Sequence, residues 1–200
     1  MKATDFNKIF DSVVEIYHQF DDVNKKCPNP YKPGSMEFLL FQKCWIDAVQ
    51  WHLEDIIRDP AIDPAKALDI KRWIDRSNQE RTDTVEYIDS FLLDHFKDVK
   101  PLEGARVNTE TPAWSIDRLS ILALKIFHMR EQASRPDASP EHLQKCSDKL
   151  NVLLMQREDL TKSIDELLED FASGKKIMKV YKQMKMYNDP SMNPVLYGKK

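Results

Sequence analysis

Four glycines and eleven prolines are all the backbone breakers that 200 residues carry, and their placement constrains this chain more than any other feature. Fifteen breakers in 200 residues is about 7.5%, against a usual ~12%. They are also gathered: Pro28, Pro30, Pro33 and Gly34; Pro60 and Pro64; Pro101, Gly104 and Pro112; Pro136 and Pro140; Gly174; Pro190, Pro194 and Gly198. Between the clusters the chain runs unbroken for up to 36 residues, from Ala65 to Lys100. A β-sandwich needs turn residues every ~8–12 positions. A doubly wound α/β fold needs glycines at its strand–helix turns. Neither pattern is present, and the expectation is an all-α chain of long helices.

The breakers also date the helix ends. Thr4 is an N-cap for a first helix to about Phe20, with Phe6, Ile9, Phe10, Val13, Tyr17 and Phe20 as its stripe. Ser35 caps a second helix to about Arg58. Asp63-Pro64, Thr111-Pro112 and Ser139-Pro140 each place an N-cap before proline at the first helical position, a strong start signal. They open a third helix to about Lys97, a fourth to about Gln132 and a fifth ending at Gly174, a natural C′ glycine. The fourth is apolar on nearly every side between Leu119 and Met129, which predicts the central position. The third and fifth carry apolar residues at alternating spacings of three and four, a pattern suited to shallow packing in a largely antiparallel bundle. Residues 1–173 form the bundle in this reading. Residues 174–200 hold a short basic amphipathic helix from Lys175 to Tyr187 and an extended strap packed on the bundle.

Composition excludes several classes. The longest uncharged stretches in the helices are about six residues, such as Leu119–Leu124, whereas a membrane span needs ~20 apolar residues. The first five residues lack the apolar stretch of a secretory signal. Cys27, Cys44 and Cys146 are odd in number and far apart, which fits free thiols in a reducing cytoplasm. The net charge of −3 hides an uneven distribution: residues 174–200 hold seven lysines and one acid, +6, leaving −9 for the body. Such a tail fits packing on the acidic body better than nucleic acid, because arginine is absent after Arg157. A homo-oligomer held by seams and tail is an alternative use of the same charges.

Polar residues interrupt the apolar seams. Ser77 and Arg81 occupy seam positions on the third helix with Asn78 beside them, Arg157 does so on the fifth, and His52 sits at the stripe edge of the second. A buried unpaired charge costs several kcal/mol. Either these groups pair locally, Arg81 with Glu86 or Asp75 and Arg157 near Asp159, or helices two, three and five face one another there. In the second case His52, Asn78, Arg81 and Arg157 line a polar pocket that clamps a small phosphate- or carboxylate-bearing ligand.

A weaker alternative uses acids. Glu86 and Asp89 form Glu-x-x-Asp on one helix face, and Glu54 and Asp55 follow His52. Carboxylates from two helices hold Mg2+ together with phosphate. This resembles the all-α nucleotide pyrophosphohydrolases and implies a magnesium-dependent phosphohydrolase, but no Glu-x-x-Glu precedes the Glu-x-x-Asp at that family's spacing. Otherwise no metal or cofactor is expected. Asp117 and His128 on the fourth helix are too far apart for a local dyad, and His18, His95 and His142 show no partner pattern. No glycine-rich phosphate loop, nucleophile elbow or His-Glu-x-x-His occurs, so no motif establishes an enzyme.

Four runs carry a resemblance: Trp45-Ile46-Asp47, Gln50 through Arg58, Asp75 through Arg81, and Pro112 through Ser120. Over most of its length the chain resembles bacterial domain-of-unknown-function family 4254. The resemblance implies a helical, cytoplasmic bacterial protein and assigns no catalytic residue.

Overall fold

The computed structural model describes residues 1–186 and 189–198. Five long helices account for most of it: α1 Ala3–Tyr17, α2 Met36–Ile56, α3 Pro64–His95, α4 Pro112–Ala133 and α5 Pro140–Ala172. One further turn, α6, spans Pro194–Tyr197. No strand occurs among the described residues; Arg106 and Lys176 form a single bridge. The fold is therefore all-α, as the breakers predict.

The start signals work locally where the cap can reach its own helix. The side chains of Ser35, Asp63 and Ser139 accept hydrogen bonds from Phe38, Lys66 and His142 backbone N–H groups. Two helices begin differently. α1 starts at Ala3, so Thr4 lies inside it, and Lys2 provides no side-chain cap. Instead the carboxylate of Asp165 on α5 accepts from Ala3 N–H at 2.7 Å. Thr111 precedes α4 without a side-chain cap bond, and Asp89 of α3 accepts from Ala113 N–H at 3.1 Å.

α4 is central, as its all-round apolarity predicts: it packs against α1, α2, α3 and α5. The core around it includes Phe10, Tyr17, Leu40, Phe41, Ile88, Leu92, Ile116, Leu119 and Leu124. The two heptad-spaced helices do not pack on each other. α3 lies against α2 and α4, and α5 lies against α4 and α1. Helices two, three and five therefore do not meet at one level, which corrects the expected three-helix pocket. α4 stands between them because its apolar surface is the one able to face several neighbours.

The tail departs from expectation as well. Residues 175–186 are not helical, and Tyr187, the last residue of the expected basic helix, lies outside the described residues. Gly174 stops α5 in the left-handed region at φ +73°, and the chain then bonds to the bundle. Ile177 N–H donates to Arg106 O at 3.0 Å, and Gln183 N–H donates to the Glu86 carboxylate at 3.1 Å. Lys185 Nζ donates to Asn78 O and Thr82 Oγ1 at 3.0 and 2.6 Å. A short helix costs nucleation entropy for few internal bonds, and contacts along α3 replace them. Among the described residues no helix is long and apolar enough to cross a membrane.

Candidate functional site

Where α2, α3 and α4 converge, four charged side chains meet inside the protein. Lys43 and Asp47 lie one turn apart on α2, so they share a face. Lys43 is completely buried and Asp47 is 6% exposed. Lys43 Nζ contacts Asp47 Oδ2 at 2.5 Å and Asp117 Oδ1 at 2.8 Å, and donates to Asp117 O at 3.0 Å. From α3, Arg81 grips Asp117 with two parallel hydrogen bonds, Nε to Oδ1 at 3.0 Å and Nη2 to Oδ2 at 2.5 Å. Its Nε also lies 3.3 Å from Asp47 Oδ1. Ser120 Oγ, one turn beyond Asp117, donates to Asp47 Oδ2 at 2.6 Å.

Two cations and two carboxylates sum to zero, which is the condition for holding this many charges away from water. Burial pushes the Asp47 carboxyl up and Asp117 adds to that, while Lys43 and Arg81 pull it back down. The network is also rigid. A guanidinium held on a carboxylate by a two-bond fork has few alternative geometries.

Arg81 is not sealed in. Its Nη1 donates no hydrogen bond among the described residues, and the side chain is about a quarter exposed. It lines a cleft of about 340 Å³ together with Asp47, Gln50, Trp51, Ile121 and Leu124 and the charged Glu54, Asp55 and Arg58. Gln50 is fixed there: its Nε2 donates to Asn78 Oδ1 at 2.9 Å, and its Oε1 accepts from Ser77 Oγ at 3.3 Å. Glu54 and Arg58 pair at 3.2 Å. Asp55 is exposed and makes no side-chain bond among the described residues.

The structure separates the four residues expected to share a pocket. Asn78 and Arg81 stay together on α3, with Asn78 turned to Gln50. Arg157 pairs with neither an acid of its own helix nor a ligand cleft beside Arg81. Its guanidinium grips Asp11 of α1 at 2.9 and 2.6 Å and lines a groove between α1 and α5. His52 packs against Tyr17, His18 and His128. The local partners expected for Arg81, Glu86 and Asp75, are not the ones it takes.

The four acids of the magnesium alternative are not gathered either. Glu54 and Asp55 border the cleft, Glu86 holds the tail through Gln183, and Asp89 is buried as the cap of α4. Among the described residues no carboxylate cluster forms a metal site. Burial pushes the Cys44 thiol up to about 12 and the Cys27 thiol up to about 11.

Sequence reasoning missed Lys43, Asp47, Ser120 and the role of Asp117. One signal was present. Lys43 and Asp47 form an i,i+4 pair on a stretch, Leu39–Val49, that is otherwise almost wholly apolar, so the pair had to be buried.

A family model described as "Protein of unknown function (DUF4254)" matches residues 37–180. The match covers Lys43, Asp47, Arg81, Asp117 and Ser120 and all four runs that carry the resemblance; α1 lies outside it. No curated protein and no solved structure matches the chain.

Proposed function

We propose, for a chain that belongs to the family of proteins of unknown function DUF4254, that the cleft beside Arg81 binds a small ligand bearing a phosphate or carboxylate. The observation that carries this reading is the guanidinium of Arg81, oriented by two buried carboxylates in a side chain that lines a cleft. A preorganised donor loses little entropy on binding. Trp51, Ile121 and Leu124 offer an apolar wall for the body of the ligand. Asp55 suits a hydroxyl or amine on the ligand. The lining residues hold three acids and two arginines, so a ligand carrying only negative charge fits less well than one with a donor group as well.

Calorimetric titration against a panel of phosphorylated and carboxylated metabolites, with inorganic phosphate included, tests the reading. At least one compound carrying both an anion and a donor group binds the native chain. Arg81→Lys keeps the charge but loses the fork, and weakens that compound by roughly 10-fold or more. A panel without a binder, or undiminished binding in Arg81→Lys, overturns the proposal.

A further inference from the structure

A second cluster lies beside Trp51, whose ring stacks on His128. His18 ends α1, His52 is on α2 and His128 is on α4. Each offers a ring nitrogen, and the three nitrogens lie within 4.8 Å of one another. The rings are in mutual contact, with centroids 4.9 to 5.7 Å apart.

The other nitrogen of each ring is already engaged. His18 Nδ1 is 2.6 Å from Val14 O and His52 Nδ1 is 2.9 Å from Ala48 O. His128 Nδ1 is 3.0 Å from the Glu131 carboxylate. A carbonyl or carboxylate partner accepts, so each Nδ1 carries the proton and each Nε2 keeps its lone pair. Imidazoles that ligate a metal are oriented this way, by a second partner that sets tautomer and ring angle. The Nε2 atoms of His18 and His128 are buried and have no hydrogen-bond partner among the described residues. Buried polar atoms are nearly always satisfied. In that tautomer the three rings have no proton to offer one another through Nε2.

A shared cation resolves all of this at once. Asp21, held by its own backbone at φ +46°, brings a carboxylate oxygen to 3.8 Å from His52 Nε2. Asp is among the few residues that accept that conformation readily. Three imidazoles and a carboxylate suit a borderline divalent transition ion, zinc foremost, at nitrogen distances of ~2.0–2.1 Å. The separation of 4.8 Å or less leaves a small side-chain adjustment to reach that geometry.

We infer that His18, His52 and His128 form a binding site for a divalent transition-metal ion, with Asp21 as the adjoining carboxylate. The ion would tie the end of α1 to α2 and α4, and it stands on geometry independent of the cleft reading. Trp51 connects the two sites: its ring stacks on His128 at 4.9 Å and 14°, and it also lines the cleft.

The full chain, stripped with a chelator and titrated with zinc, tests this by bound-metal analysis after gel filtration. One ion per chain is expected. The cobalt form should show the visible absorption of a four-coordinate nitrogen–oxygen site without a thiolate charge-transfer band, and copper should quench Trp51. His52→Ala abolishes stoichiometric binding. Glu131→Ala, a surface change that removes only the partner of His128 Nδ1, weakens zinc roughly 10-fold. The double variant His142→Ala/Cys146→Ser removes another sulfur–nitrogen pair, 3.4 Å apart, and leaves the stoichiometry unchanged. No retained ion in the native chain overturns the inference. So does retention by His52→Ala, or loss of the ion in the His142/Cys146 variant.

Discussion

Single residues here do work that their type alone does not announce. Lys43 is the clearest case, a lysine with no exposed surface. Removing one partner of a buried ion pair strands the others, at a cost of about 3–5 kcal/mol. Lys43→Met should therefore lower stability by about that amount in urea unfolding. The double variant Lys43→Met/Asp47→Leu should recover much of the loss, because the carboxylate left bare is also gone; full additivity of the two changes would refute the coupling. Asp89 behaves differently. Burial raises its pKa to about 6, against 3.8 when unfolded. A raised carboxyl favours folding only while protonated: its contribution is present below pH 3.8 and is lost as pH rises through about 6. By linkage the deficit at pH 8 is about 3 kcal/mol at most. Asp89→Asn keeps an acceptor for Ala113 N–H and removes the charge. It should raise the melting temperature at pH 8 and change little near pH 4, a difference that thermal scans at both pH values would reveal.

At the scale of elements, the helices divide by how their first turns are satisfied. α2, α3 and α5 carry their own caps, and each was legible as Ser or Asp before the first turn. α1 and α4 borrow a carboxylate from another helix, Asp165 and Asp89 respectively. No local pattern announces such a borrowed cap, because the donor and acceptor are 162 and 24 positions apart. The end of α5 was legible in full. Gly174 adopts φ +73°, and a Cβ there would approach Lys100 O to 2.6 Å. Gly174→Ala should lose at least 1–2 kcal/mol from the left-handed conformation alone. For a chain of this size that is roughly 2–4 °C per kcal/mol in melting temperature, and a wild-type melting curve would show the steric reading to be wrong. The tail was misread for a related reason. Lys175–Met186 has helical spacing, but its bonding partners lie on α3 and on the loop before α4.

On the scale of the whole molecule, α4 decides which side chains become neighbours. Because it packs on four helices, it carries Asp117 to Lys43 and Arg81, and His128 to His18 and His52. It also keeps α3 and α5 apart, so Arg81 and Arg157, which look alike as seam interruptions, end in different places. Arg157 closes a partly exposed fork with Asp11, worth about 1 kcal/mol. Arg157→Ala should cost no more than that and leave ligand affinity in the Arg81 cleft unchanged; a large loss of affinity would return Arg157 to the site. The fold class, the five long helices, the centrality of α4 and three of the caps followed from the sequence alone. They depend on backbone sterics and on apolar periodicity, which act between residues a few positions apart. The charge quartet, the histidine trio and the borrowed caps were decided by the tertiary structure. Each joins residues from two or three helices, and the spacing along one helix says which face a residue is on but not which helix that face will meet.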